Sequence, residues 1–319
     1  MSCTTLADTL SASTDCPRCP GQPVLERIAT RASVLGEGLT IRRALPSSQR
    51  RMVGAWCFLD HAGPMDYGPG GGLAVGPHPH IGLQTFSWMI DGEILHRDSL
   101  GYEQIIRPGQ VNLMTAGRGI SHSEDAVSDA PGRIHLAQLW IALPEEHRHR
   151  EPAFEHYPEL PIVQRDGFAI TVLAGSALGQ RSPAAVHTPM IGLDLSTAAG
   201  ASTTLPLEPG FEHAALVLQG RCRVEGEDLE PGTLLYLGTG REQITVEADA
   251  DSKLLLIGGE PFKEEVLLWW NFVARRAEEI EAATADWNAG RHFAHDIGSP
   301  TRPLTAPDPA GIRMKASRG

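Results

Sequence analysis

Short apolar runs broken by Gly- and Pro-containing turns recur along most of the chain. Residues 24–29, 39–44, 53–59, 83–90, 93–97 and 135–143 each read as a strand, with Asp91-Gly92 and Pro108-Gly109 as turns between them. The second half repeats this pattern in weaker form. Leu216-Val-Leu-Gln-Gly220 echoes Trp88-Met-Ile-Asp-Gly92, and Glu230-Pro-Gly232 echoes Arg107-Pro-Gly109. Residues 264–287 depart from it: Val266, Trp269, Trp270, Val273, Ala277, Ile280 and Trp287 keep helical spacing. Within that stretch Glu278 to Asn288 is the firmest helix, with Gly290 as its stop. The pattern divides the chain into a flexible N-terminal tail (1–22), a first domain (23–150), a second domain ending in the helix (151–292) and a loosely held Pro-rich tail (293–319). The expectation is an all-β protein of two tandem domains with a short C-terminal helix.

Composition narrows the function classes. The 319 residues are 41% hydrophobic, with Gly 34 and Pro 24, which fits a turn-rich β protein with ample core. A net charge of −12 argues against direct nucleic-acid binding, which needs a basic face. No apolar run approaches the roughly 20 residues of a membrane span. The N-terminal stretch has neither a basic start nor an apolar core of a secretory signal, and five cysteines fit a reducing cytoplasm. Cys16-Pro-Arg-Cys19 has no second Cys pair to complete a zinc site, so it reads as two thiols in a tail. The doublets Arg42-Arg43 and Arg50-Arg51 read as solvated faces, and Cys57 as a small core residue. His147, His149 and His156 fall in a charged stretch without strand pattern, read as an exposed connector.

Chemistry concentrates between Gly76 and Asp125. His78-Pro-His80 is followed about forty residues later by His122-Ser-Glu124. Residues i and i+2 of a strand point to one face, so each pair projects two donors together, and two neighbouring strands can converge all four. Three imidazoles and one carboxylate suit one first-row transition ion, iron(II) foremost, with Mn, Co, Ni, Cu or Zn as alternatives. Such a set leaves coordination positions for an anionic oxygen donor and O₂, and Glu124 can also accept a proton as catalytic base. The second half offers only His213 upstream of its strand, and thirteen residues beyond its second Gly stands Thr245 where the first half has His122. The second domain is therefore expected to bind no metal.

His78-Pro-His80-Ile-Gly-Leu-Gln-Thr and Met114-Thr-Ala-Gly-Arg-Gly-Ile-Ser-His122-Ser-Glu124 resemble the two signature stretches of the pirins, a branch of the cupin superfamily. The likeness extends through Arg42-Arg-Ala-Leu-Pro, Asp60-His61-Ala-Gly-Pro and Gly258-Gly-Glu-Pro261, over about residues 23 to 292. It implies two tandem cupin (jelly-roll) barrels, with one iron held at His78, His80, His122 and Glu124 of the first. Many cupins take a carboxylate from the first motif, where this chain has Gln84; pirins take it from the second. Ile81 stands where pirins often carry Arg, a change expected at the cavity mouth. Arg42, Asp60 and His61 lie in the resembling segments and are candidates for roles near the cavity. Phe58, Asp60, Gln84 and Met114 are the candidates for a substrate pocket. The resemblance implies a quercetin 2,3-dioxygenase-type oxidoreductase that takes a flavonol or related enol with O₂. The alternative is an iron-dependent co-regulator that binds a protein partner.

Overall fold

The computed structural model describes residues 11–12, 20–35 and 39–309. Cys16 and Cys19 lie outside the described residues. The chain forms two sandwiches of antiparallel strands, each a seven-stranded sheet facing a four-stranded one. In the first, the large sheet runs Ala153–Tyr157, Val111–Thr115, Leu83–Asp91, Gly132–Ala142, Trp56–Tyr67, Leu39–Leu45, Arg31–Leu35. The small sheet runs Ala74–His80, Ile120–Asp125, Ile94–Asp98, Glu103–Ile106. The second sandwich repeats this plan, with Glu212–Gln219 in the place of Leu83–Asp91 and Ser252–Gly259 in the place of Gly132–Ala142. These are the two cupin barrels expected, and the weak internal repeat is a repeat of structure.

The two large sheets pack back to back. Trp56, Phe86, Trp88, Leu139 and Ile141 of the first meet Leu216, Tyr236, Leu255 and Ile257 of the second in one buried cluster. Because each large sheet is covered on both faces, its strands carry continuous apolar runs, as in Leu139 to Leu143 and Leu254 to Ile257. The Trp56 indole N–H donates to the carbonyls of Ile191 and Gly258, each at 3.2 Å, and so ties the sheets with polar bonds as well.

The domain limits drawn from sequence need correction, because each barrel takes an edge strand from the other side of its boundary. Pro23–Ala29 pairs with Thr233–Gly238 in the second barrel's sheet. Ala153–Tyr157, in the stretch read as an exposed connector, pairs with Val111–Thr115 in the first. Its His156 accordingly packs in a strand and bonds Asn112 Oδ1 at 2.8 Å. The arginine doublets are each half buried: Arg43 is 1% and Arg50 2% exposed. Arg43 forms a two-pronged pair with Asp60, its Nε donating to Oδ1 at 2.7 Å. Arg50 lies over the Tyr236 ring, 3.8 Å from its centre, and reaches Glu26 and Glu212. Paired charge and an aromatic face are what make burial of a guanidinium tolerable.

The helix is shorter than its apolar spacing suggested. It spans Ala277–Asn288, with the Glu279 carboxylate accepting the N–H groups of Arg275 and Arg276 at its start. Gly290, at φ +64°, ends it as expected. Upstream, Leu267–Trp269 and Phe272–Ala274 are strands of a tight hairpin whose turn residue Trp270 sits at φ +50°. Ser11–Ala12 adds a third strand to this hairpin. Val266, Trp269, Trp270 and Val273 are all buried there, so a period of three to four reflected burial on both sides of a hairpin rather than a helical face. Among the described residues no helix is long and apolar enough to cross a membrane.

Nor is the stretch after residue 292 loosely held as far as residue 309. Phe293 and Ala306 are buried with the helix residues Ile280 and Trp287, and Leu304 packs partly buried against them. The Leu304 N–H donates to the Pro77 carbonyl at 2.9 Å. Hairpin, helix and this segment together make a strap over the rim of the first barrel. Two glycines flanking the His-Pro-His stretch allow the strap to approach. A Cβ on Gly76 would stand 1.9 Å from the Arg302 carbonyl oxygen, and one on Gly82 2.0 Å from that of Val273.

Candidate metal centre

His78 and His80 end the strand Ala74–His80, and His122 lies on its neighbour Ile120–Asp125, directly across from His78. All three imidazoles turn into the lumen of the first barrel and are at most 1% exposed. One ring nitrogen from each falls within 4.8 Å of the others. His78 Nδ1 faces the Gly76 carbonyl at 2.8 Å, and His80 Nδ1 faces that of Asn271 at 2.9 Å. A carbonyl can only accept, so both rings donate from Nδ1 and leave a lone pair on Nε2. His78 Nε2 is buried without a hydrogen-bond partner, and the Nε2 atoms of His80 and His122 lie 3.1 Å apart. Two nitrogens about 2.1 Å from one ion, at right angles, would stand about 3 Å apart. The donor set therefore fits a first-row transition ion.

Electrostatics point the same way. Burial pushes the His78 pKa down to about 3. Burial, and next the neighbouring His78 ring, hold His80 and His122 well below the usual range. Neutral imidazoles are the ligating form, so the pocket keeps its three nitrogens ready at neutral pH.

Two family models match the chain: Pirin over residues 38–141 and the Pirin C-terminal cupin domain over residues 192–293. The chain belongs to the pirin family. A Pseudomonas aeruginosa protein provisionally named as a quercetin 2,3-dioxygenase is 51% identical over 281 residues, covering 88% of this chain and 89% of its own. A pirin-like protein of Caulobacter vibrioides is 39% identical, over 81% of this chain and 91% of its own. The crystal structure of a quercetin 2,3-dioxygenase from Acinetobacter baumannii is 48% identical, with a TM-score of 0.89, covering 92% of this chain and 98% of that one.

In this pirin the other predicted residues divide by the face they occupy. Glu124 is 3% exposed and lies two residues beyond His122, but its carboxylate does not join the compact set of three imidazoles. The pairing of its strand with Ala74–His80 shifts register between His122 and Glu124, which sets it opposite Val75 rather than Gly76. Phe58 and Met114 line the lumen near the imidazoles. Phe58 stacks on Trp140 (3.9 Å, 12°), and Trp140 meets the His80 ring edge-on at 5.1 Å. Asp60 is fully buried and engaged by Arg43, which leaves it a structural rather than a substrate-facing group.

Gln84 needs correction: it points away from the lumen. Its amide donates to Thr115 Oγ1 at 2.9 Å and to the Ala185 carbonyl, in the second half of the chain, at 3.0 Å. Leu83 and Thr85 face the lumen instead, since alternate residues of a strand face opposite ways. Ile81 packs under the strap, bridged to Phe272, rather than at an open mouth. Arg42 donates to the Gly63 carbonyl, and His61 meets His135 at 2.9 Å between the barrels, where burial holds His61 at about 3 and His135 at about 4.

The second barrel's lumen fills itself with Leu193, Leu205, Val217, Ile244, Val246 and Leu256. Thr245 does not occupy the ligand position expected of it. Ile244 and Val246 point inward and Thr245 outward, a one-residue offset that exchanges the faces. Among the described residues the first barrel's imidazoles form the one group of three or more potential ligands.

Sequence reasoning missed His96 and Asp98. His96 lies opposite Glu124, and Asp98 opposite His122, on the strand Ile94–Asp98; both are buried. The signal was present: an i, i+2 pair of polar residues alternating with Leu95 and Arg97 marks one lumen-facing side.

Proposed function

We propose that this chain is a mononuclear dioxygenase that binds iron(II) through His78, His80, His122 and Glu124 and oxygenates a flavonol or a related enol. The observation that carries the reading is the converged, neutral imidazole set in a lumen walled by Phe58, Met114 and Trp140, in a chain 48% and 51% identical to proteins named for quercetin oxygenation. A divalent ion held there would lower the pKa of an enol hydroxyl and make the bound anion reactive towards O₂.

The protein's own groups do the rest. The Gly76 and Asn271 carbonyls fix two rings, so the ligand nitrogens are oriented before anything binds. The aromatic wall takes a flat ring by stacking and excludes water. Glu124, two residues from His122 on the same strand, accepts the substrate's hydroxyl proton at its carboxylate. Three neutral imidazoles and one carboxylate leave a divalent centre with a single positive charge, matched to a singly charged enolate.

The test follows quercetin absorbance and O₂ uptake together on samples of measured metal content. Metal-loaded protein should consume both in step, and metal-stripped protein should not. Equal slow decay with and without metal would overturn the reading and favour a protein-binding role.

A further inference from the structure

We propose that His96 and Asp98 are positioning residues that hold His122 in the tautomer a metal ion requires and link that state to the adjoining loop. The inference rests on the metal-centre reading above. His122 is the one ring of the three whose second nitrogen is met by another side chain: its Nδ1 lies 3.4 Å from Nδ1 of His96. The far side of His96, Nε2, lies 3.1 Å from Asp98 Oδ2. Phe154 stacks on the His96 ring at 4.3 Å and 12°, which fixes its plane. His96 and Asp98 are 4% and 3% exposed, so water does not compete for these bonds.

The proton positions follow from valence. The Asp98 carboxylate can only accept, so the proton between it and His96 sits on His96 Nε2. A neutral His96 then has its lone pair on Nδ1 and accepts the Nδ1–H of His122. That leaves the His122 lone pair on Nε2, the atom facing His80 Nε2. A carboxylate two bonds behind the ligand also strengthens His122 as a donor. The other Asp98 oxygen accepts the N–H groups of Leu100 (2.9 Å) and Tyr102 (3.1 Å). The same carboxylate thus anchors a loop whose Leu100 and Tyr102 side chains are 43% and 49% exposed.

Three variants separate polarity from packing. His96→Phe keeps the stack on Phe154 and removes the acceptor. His96→Gln keeps an acceptor and a donor. Asp98→Asn is nearly isosteric; an amide that still accepts from the loop turns its NH₂ towards His96, reverses the chain of protons and puts one on His122 Nε2. Cobalt(II) titrations, read by visible absorption, should show affinity about 10- to 100-fold weaker in His96→Phe and Asp98→Asn, and within about threefold of the parent in His96→Gln. Long-range ¹H–¹⁵N spectra of the metal-free chain should find the His122 proton on Nδ1 in the parent and on Nε2 in Asp98→Asn.

Unchanged cobalt affinity in His96→Phe, or an equal loss in His96→Gln, would overturn the proposal. So would an unmoved His122 proton in Asp98→Asn, which decides the matter if His96→Phe fails to fold. If the parent takes up no cobalt at all, the metal-centre reading fails, and the spectra of the metal-free chain still judge the proton relay.

Discussion

The main-chain carbonyl of Asn271 accepts the Nδ1–H of His80 at 2.9 Å, across 191 residues of chain. The strap over the first barrel therefore takes part in orienting a candidate ligand, and its docking is coupled to the site.

Loosening the strap should weaken the site without touching a ligand. Gly82→Ala places a methyl 2.0 Å from the Val273 carbonyl oxygen at a position held at φ +70°, so the hairpin must withdraw. We expect a stability loss of about 2–3 kcal/mol by urea unfolding, from strain at a positive-φ site plus lost packing. Metal affinity measured by chelator competition should fall with it. Full retention of both would show that the strap is a passive cover.

Metal stoichiometry should be one per chain and should depend on one barrel alone. His80→Ala should purify with less than a tenth of the parent's iron, whereas His213→Gln should keep it all. Elemental analysis of both proteins checks this, and a drop of half or more in His213→Gln would mean that the second lumen also holds metal.

Glu124→Gln should lose far more turnover than metal. The amide oxygen can still face the ion but cannot take a proton, so quercetin consumption should fall by about 10²- to 10⁴-fold while metal content falls by much less. A parallel loss of both would reduce Glu124 to a ligand.

Acid should destabilise the fold partly through His213. Burial lowers its pKa to about 4, so the unfolded chain takes up a proton below pH 6.5 that the folded chain refuses until about pH 4. Above pH 6.5 this group contributes no difference; as pH falls from 6.5 towards 4 stability is lost, by about 2 kcal/mol at pH 5. In urea unfolding at pH 8 and pH 5, His213→Gln should show a correspondingly smaller acid loss. An identical acid loss in the variant would refute the assignment.

The sequence by itself determined the two barrels and the three imidazoles. Strand alternation, Asp91-Gly92, Pro108-Gly109 and the i, i+2 spacing of His78 and His80 are local signals, and local geometry reads them directly. Position relative to distant chain was not legible. Gln84 and Thr85 are neighbours with equal claim to the lumen until the second barrel covers one face of their sheet. Pro23–Ala29 and Ala153–Tyr157 carry no mark of the barrel each joins, because the pairing partner is remote and backbone hydrogen bonds are blind to sequence. The apolar spacing of Val266 to Val273 fits a helix or a doubly buried hairpin equally well, and the rim of the first barrel selected the hairpin. Only the tertiary structure decided where the protons around His122 belong, since that depends on Asp98 and His96 meeting it across a strand.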